Sequence, residues 1–258
     1  MTPSMTCSRF LPTLFLPCAG ITAPFASSVI SYSNLGAGIY GVPSAVLGPP
    51  TRWVKDTIYG GPMQRIAPGI GYATWNVSPD NQPLLCTINP GGQITVEFDP
   101  PITNRRGPDF IVFGNALVAC SEPIMFGTNP DSTVVISGAD YVEPMSVSVS
   151  QDGLTWQTFP LTPFQGADGY WPTQAFDAYG SPSDFNRPVP PDLARESLNG
   201  LSLRSAIAAF RGSGGGTAFD LSTVRQKTAR FIRIDGNGGE LDALARVIDP
   251  TLSKTLNP

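Results

Sequence analysis

Short stretches of strict apolar–polar alternation recur along the chain, and the clearest is VSVSQDGLTWQTF, Val147 to Phe159. Val147 and Val149 alternate with Ser146, Ser148 and Ser150, the period-two signature of a half-buried strand. Gln151-Asp152-Gly153 supplies a turn, with Gly153 free to take a positive φ. Leu154, Trp156 and Thr158 resume the alternation, which predicts a second strand with Trp156 facing the core. Ile94, Val96 and Phe98 share a face in QITVEF, and Asp99-Pro100-Pro101 is expected to stop that strand. DFIVF, Asp109 to Phe113, is almost continuously apolar, as in an interior strand. A further strand is expected at Thr133 to Ile136, and another at ARFIRI, Ala229 to Ile234. After a glycine-rich turn, Glu240 to Val247 puts Leu241, Ala243, Ala245 and Val247 on one face, opposite Glu240, Asp242 and Arg246.

Between these strands, residues 160–218 form a long irregular insertion rich in Pro, Gly, Asp and aromatics. Short helical patterns run from Pro191 to Leu198 and from Ser202 to Arg211. Gly212-Ser213-Gly214-Gly215-Gly216 is either flexible or tightly turning, and it lacks the Lys-Ser/Thr of a phosphate-binding loop. No repeat or linker divides the chain. The prediction is one all-β domain over 29–258, preceded by a signal peptide over 1–28. Arg9, the apolar run Phe10 to Phe25 and the small residues Ala26-Ser27-Ser28 carry that prediction. Pro12, Pro17 and Pro24 and the shortness of the run argue against a spanning helix, so no transmembrane segment is expected in the mature chain.

Composition narrows the chemistry. Of 258 residues only 14% are charged, Gly and Pro number 27 each, and the net charge is −4. That describes many strands joined by turns, with no basic footprint for nucleic acid. There is no histidine, which removes Ser-His-Asp and Cys-His triads and His-ligated metals. Once Cys7 and Cys18 leave with the signal, Cys86 and Cys120 remain as one candidate disulfide, worth about 3–4 kcal/mol in the chain-entropy model. The alternative is a pair of buried thiols.

VSVSQDGLTW followed downstream by ARFIRI resembles the discoidin, or coagulation-factor type C, group of galactose-binding-like proteins. Leu47-Gly48-Pro49-Pro50, Gly91 to Phe98, Gly107 to Phe113, Glu143-Pro144, Ala218-Phe219-Asp220-Leu221 and Leu241-Asp242-Ala243 add to the likeness. In that order they are similar to bacterial secreted or cell-surface proteins of the PEP-CTERM-associated kind. The sorting tail of those proteins is missing here, and Gly114 and Thr217 stand where their pattern has carboxylates. The resemblance, over about residues 43–248, implies a jelly-roll β-sandwich and an exported, non-enzymatic module whose leading ligand is carbohydrate. The alternative is a structural surface or matrix protein whose partner is another protein.

Three sets of residues are candidates for chemistry. Tyr170, Trp171, Phe176, Tyr179, Asp184, Asn186 and Arg187 combine aromatic platforms with polar groups suited to sugar hydroxyls. The competing reading is that the aromatics pin the long insertion to the domain. Asp235, Asn237, Glu240 and Asp242 offer oxygen ligands around a flexible turn, which suits a structural calcium, with Asp109 and Asp220 as further ligands. Here the competing reading is a polar hairpin with its own turn hydrogen bonds. Asp140, Glu143, Asp168, Asp177 and Asp220 leave room for a carboxylate-based glycoside hydrolase, though no spacing selects a pair.

Overall fold

The computed structural model describes residues 23–55, 64–65, 77–122, 133–141, 145–160 and 171–248. The chain is built mostly of strands. β1 (Ser28–Leu35) is followed by the two-residue strands β2 (Trp53–Val54) and β3 (Gln64–Arg65), and then by the long β4 (Cys86–Thr103). After it come β5 (Phe110–Gly114), β6 (Leu117–Cys120), β7 (Ile136–Tyr141), β8 (Ser146–Ser150) and β9 (Gln157–Thr158). The helix α1 (Leu203–Ala209) precedes β10 (Thr217–Phe219), β11 (Thr228–Asp235) and β12 (Glu240–Arg246). One antiparallel sheet runs in the order β10-β5-β12-β4-β11-β8-β9, with β1 also on β4. β2 pairs with β3, and β6 with β7, in separate two-stranded ribbons.

The sheet curls because β4 changes partners along its length. Cys86 and Thr87 pair with Leu241 and Glu240 of β12, whereas Gln93 to Glu97 lie between β1 and β11. Its two ends therefore carry the two halves of the sheet, and their apolar faces meet. Ile94, Val96 and Phe98 pack with Ile232, Ile234, Val147 and Val149 from one half, and with Phe110, Val112, Leu241 and Leu244 from the other. Each such side chain contributes about 1.5–3 kcal/mol when fully buried. Phe110, Phe159 and Phe219 close one end, with ring centroids 5.0–5.8 Å apart.

The prolines do not end β4. Ladder pairing with β11 skips Phe98, Asp99, Pro100 and Pro101 and resumes at Ile102 opposite Ala229, where β11 has a register shift. β5 is buried throughout because its two faces meet different partners. Phe110 and Val112 join the main core, while Ile111 and Phe113 pack with Phe185 of the insertion. The glycine run is tightly turned against this second face. Gly216 has φ +75°, and a Cβ there would sit 2.7 Å from Ile111 Cγ2. The short helices are present in reduced form, as a 3-10 turn over Arg195–Leu198 and as α1. Ser202 caps α1 by accepting from the Ser205 amide. The strand expected at Thr133 to Ile136 starts only at Ile136 and runs to Tyr141.

Two sequence-based expectations need correction. The hairpin's second strand is only Gln157–Thr158, because Asp152 organises a wider turn. Its Oδ1 accepts from the amides of Leu154 and Thr155 and from the Ser150 hydroxyl. Leu154 is consequently 85% exposed, and Trp156 lies outside the core, beneath the Arg233 guanidinium at 4.5 Å. In β12 a register shift at Asp242 moves Ala243 and Ala245 away from Leu241, onto the face that meets Phe185. Leu244 then returns to the main core.

Residues 24–28, assigned by sequence to the leader, are built into the sheet. Ala26 is buried and its amide donates to Leu244 O at 3.1 Å, and the Ser27 amide donates to Glu97 O at 2.8 Å. A chain beginning at Val29 should be about 3–6 kcal/mol less stable to denaturant than one beginning at Pro24, from the lost hydrogen bonds of Pro24, Ala26 and Ser27 and the lost core contact. Equal midpoints and slopes would contradict this. The Asp152 carboxyl is held down at about 2, foremost by the Thr155 and Leu154 amides. Its folded-state pKa lies below the ordinary 3.8, so the turn's contribution is intact above that value and lost as pH falls toward 2. A carboxyl NMR titration of Asp152 should give a midpoint near the lower value, moving toward the ordinary one in Ser150→Ala.

Candidate functional site

The turn between β4 and β5 and the end of β12 enclose a cavity of about 180 Å³. Ile102 and Thr103 come from the end of β4, Arg105, Arg106, Pro108 and Asp109 from the turn, and Arg246 and Val247 from β12. The pairing of Arg246 with Phe110, and a hydrogen bond from the Val247 amide to Asp109 O at 2.9 Å, hold the walls together. Three arginines and a single carboxylate line the cavity together with apolar side chains.

That carboxylate is occupied. Asp109 is buried, its Oδ1 accepting from the Arg105 amide at 2.8 Å and its Oδ2 from the Leu221 amide at 2.9 Å. Burial raises its pKa above the ordinary value, and the nearby Asp220 charge adds to the rise. The two amides and the Arg105 charge oppose it. Asp109 thus ties the β4–β5 turn to the segment after β10. Arg246 is anchored differently. Its Nη1 donates to Pro101 O at 3.0 Å, its Nη2 donates to Pro100 O, and the guanidinium lies 5.5 Å from the Phe98 ring. Its Nε is buried without a hydrogen-bond partner among the described residues. Burial, together with the Arg105 charge, lowers the Arg246 pKa. Arg105 and Arg106 are exposed.

No protein-family model, curated protein or solved structure matches this chain.

The structure does not gather the aromatic and polar set of the insertion into one surface. Trp171 packs edge-on against Phe210 of the α1 region, with centroids 5.5 Å apart. Phe176 is buried and packs edge-on against Trp53. Tyr179 is 87% exposed, with the Arg204 guanidinium 5.5 Å over its ring. Asp184 accepts from the Asn186 amide and lies 3.8 Å from Arg187, whose Nη1 donates to Arg211 O. Asn186 Nδ2 donates to Pro24 O at 3.1 Å and to Arg246 O at 2.8 Å. Asn186 holds the insertion to the sheet, whereas Asp184 and Arg187 bond within the insertion, and Tyr170 lies outside the described residues.

The three carboxylates among the candidate calcium ligands face separate partners. Asp235 lies 3.3 Å from Arg233 Nε, Glu240 accepts from Asn115 Nδ2 at 2.8 Å, and Asp242 accepts from the Thr51 amide and hydroxyl. Asn237 sits in the turn between β11 and β12. Among the described residues no group of three or more acidic or thiol side chains is arranged to hold a metal. Asp220 caps the 3-10 turn after β10 through the Ser222 amide, and Asp177 accepts from the Tyr179 and Ser181 amides. Glu143 and Asp168 lie outside the described residues.

The disulfide expectation is also corrected, since Cys86 and Cys120 are both free thiols. Cys86 is buried in the main core, whereas Cys120 packs at the cluster around α1. Burial pushes the Cys86 thiol up to about 12, which keeps it protonated and unreactive. With each carboxylate of the β11–β12 turn already engaged, millimolar calcium should leave the melting temperature where a chelator leaves it. A rise of several degrees with calcium would restore the ligand role of these residues.

Proposed function

We propose that the protein is an exported, non-enzymatic binding module for an extracellular glycan, built on a galactose-binding-like jelly-roll β-sandwich. The curled antiparallel sheet, with the apolar faces of its two halves packed together, supports the architecture. The open cavity between the β4–β5 turn and β12 carries the functional reading, because rigid strand ends present polar side chains beside the small apolar surfaces of Ile102, Pro108 and Val247. Such a mixture suits one ring of a sugar. The binding role is favoured over hydrolysis because Asp109, Asp177 and Asp220 all accept backbone amides that fix turns. Among the described residues no helix is long and apolar enough to cross a membrane.

A surface or matrix protein is the second reading. It is favoured by β1, which exposes Ile30 and Tyr32 at 51% and 58% beside the main sheet. The two readings separate on a glycan array. The binding module should retain a subset of glycans and lose them in Arg246→Gln, with the circular dichroism spectrum unchanged. If nothing is retained while the protein associates with itself or with surface proteins in light scattering, the second reading replaces the first.

A further inference from the structure

Resting on the glycan reading, we propose that the cavity formed by Arg105, Arg106 and Arg246 is an oxyanion subsite that takes a carboxylate or sulfate group of an acidic polysaccharide. Three arginines line a cavity of about 180 Å³ in a protein whose net charge is −4. Clustering like charges is unfavourable unless an anion joins them, and here the one carboxylate offers little compensation. Both Asp109 oxygens accept backbone amides, so the acid serves the turn.

Arg246 supplies the directional donor. Its Nη atoms are fixed by the carbonyls of Pro100 and Pro101, which leaves the planar guanidinium preorganised. The Nε N–H is buried and lacks an acceptor among the described residues. Arg105 and Arg106 are exposed and their side chains have no hydrogen-bond or ion-pair partner among the described residues, so both are free to close on an anion from the solvent side. Guanidinium forks match carboxylate and sulfate geometry, and hydrogen bonds of this charge-assisted kind are about twice as strong as neutral ones. The cavity equals about six waters at ~30 Å³ each, which admits one acidic group with part of its ring, not an oligosaccharide. Ile102 and Val247 offer apolar contact to that ring.

The test is isothermal titration at low and physiological salt with a uronic-acid polysaccharide, a sulfated polysaccharide, neutral dextran, free glucuronate and inorganic sulfate. Wild type is compared with Arg105→Ala/Arg106→Ala, with Arg246→Gln, and with Lys55→Ala, which removes an exposed charge elsewhere. Binding of at least one acidic polysaccharide is expected, weakened about tenfold or more by the first two variants and unaffected by the third. The double variant involves exposed side chains only and so keeps the test decisive if Arg246→Gln unfolds. Whether the uronate or the sulfated polymer is retained identifies the source of the oxyanion. Equal losses in all three variants, or none in the first two, would overturn the subsite. Retention of neutral dextran alone would also overturn it while leaving the glycan reading standing. Arginine-dependent binding of free glucuronate or sulfate without any polysaccharide would support the subsite and remove the glycan reading.

Discussion

The whole molecule depends on β4 being hydrogen-bonded to different neighbours at its two ends. Through Cys86 and Thr87 it holds β12, and through Gln93 to Thr103 it holds β11, with β1 along its other flank. A strand eighteen residues long cannot stay flat while serving both, so the sheet curls until Phe98, Val112, Ile232 and Leu244 meet in one core. Everything that could bind a ligand is then hung from strand ends whose positions this strand dictates. Arg246 reaches back to the carbonyls of Pro100 and Pro101, in the part of β4 where ladder pairing lapses. Those carbonyls are available to a guanidinium because no neighbouring strand claims them in the ladder.

Burial of β5 on both faces gives the insertion its structural role. Phe185 covers Ile111 and Phe113, and the Arg52 guanidinium lies 3.9 Å over the Phe185 ring while donating to Ala175 O and Ser183 O. The desolvated cation costs less than it otherwise would because its hydrogen bonds and the aromatic face replace part of the lost water. Two regions far apart in the chain are thus joined by one side chain.

Much of the strand content was legible because alternation reports burial directly. QITVEF, DFIVF and ARFIRI each lie in observed strands, and the DFIVF run read correctly as interior. Alternation failed where the backbone broke its own period. The irregularity at Asp242 swaps the facing of Ala243 and Leu244, and the Asp152 turn consumes the residues expected to carry Trp156 inward. The cationic cavity was invisible for a different reason. Arg105 and Arg106 read as a charged turn, and Arg246 lies about 140 residues away with nothing local to link them. Only Pro100-Pro101, read as a strand terminator, could have hinted that free carbonyls awaited a donor there.

The Asn186 side chain, with its amide donating to both Pro24 O and Arg246 O, fastens three distant parts of the chain at one point. The insertion is therefore no interchangeable cassette. Replacing residues 160–218 wholesale, as one might to retarget such a domain, would unlatch the N-terminal segment and the last strand together. Variation in this lineage should accordingly concentrate in the loop's outward tips, such as the turn that carries Tyr179, while the amide at position 186 travels with the frame.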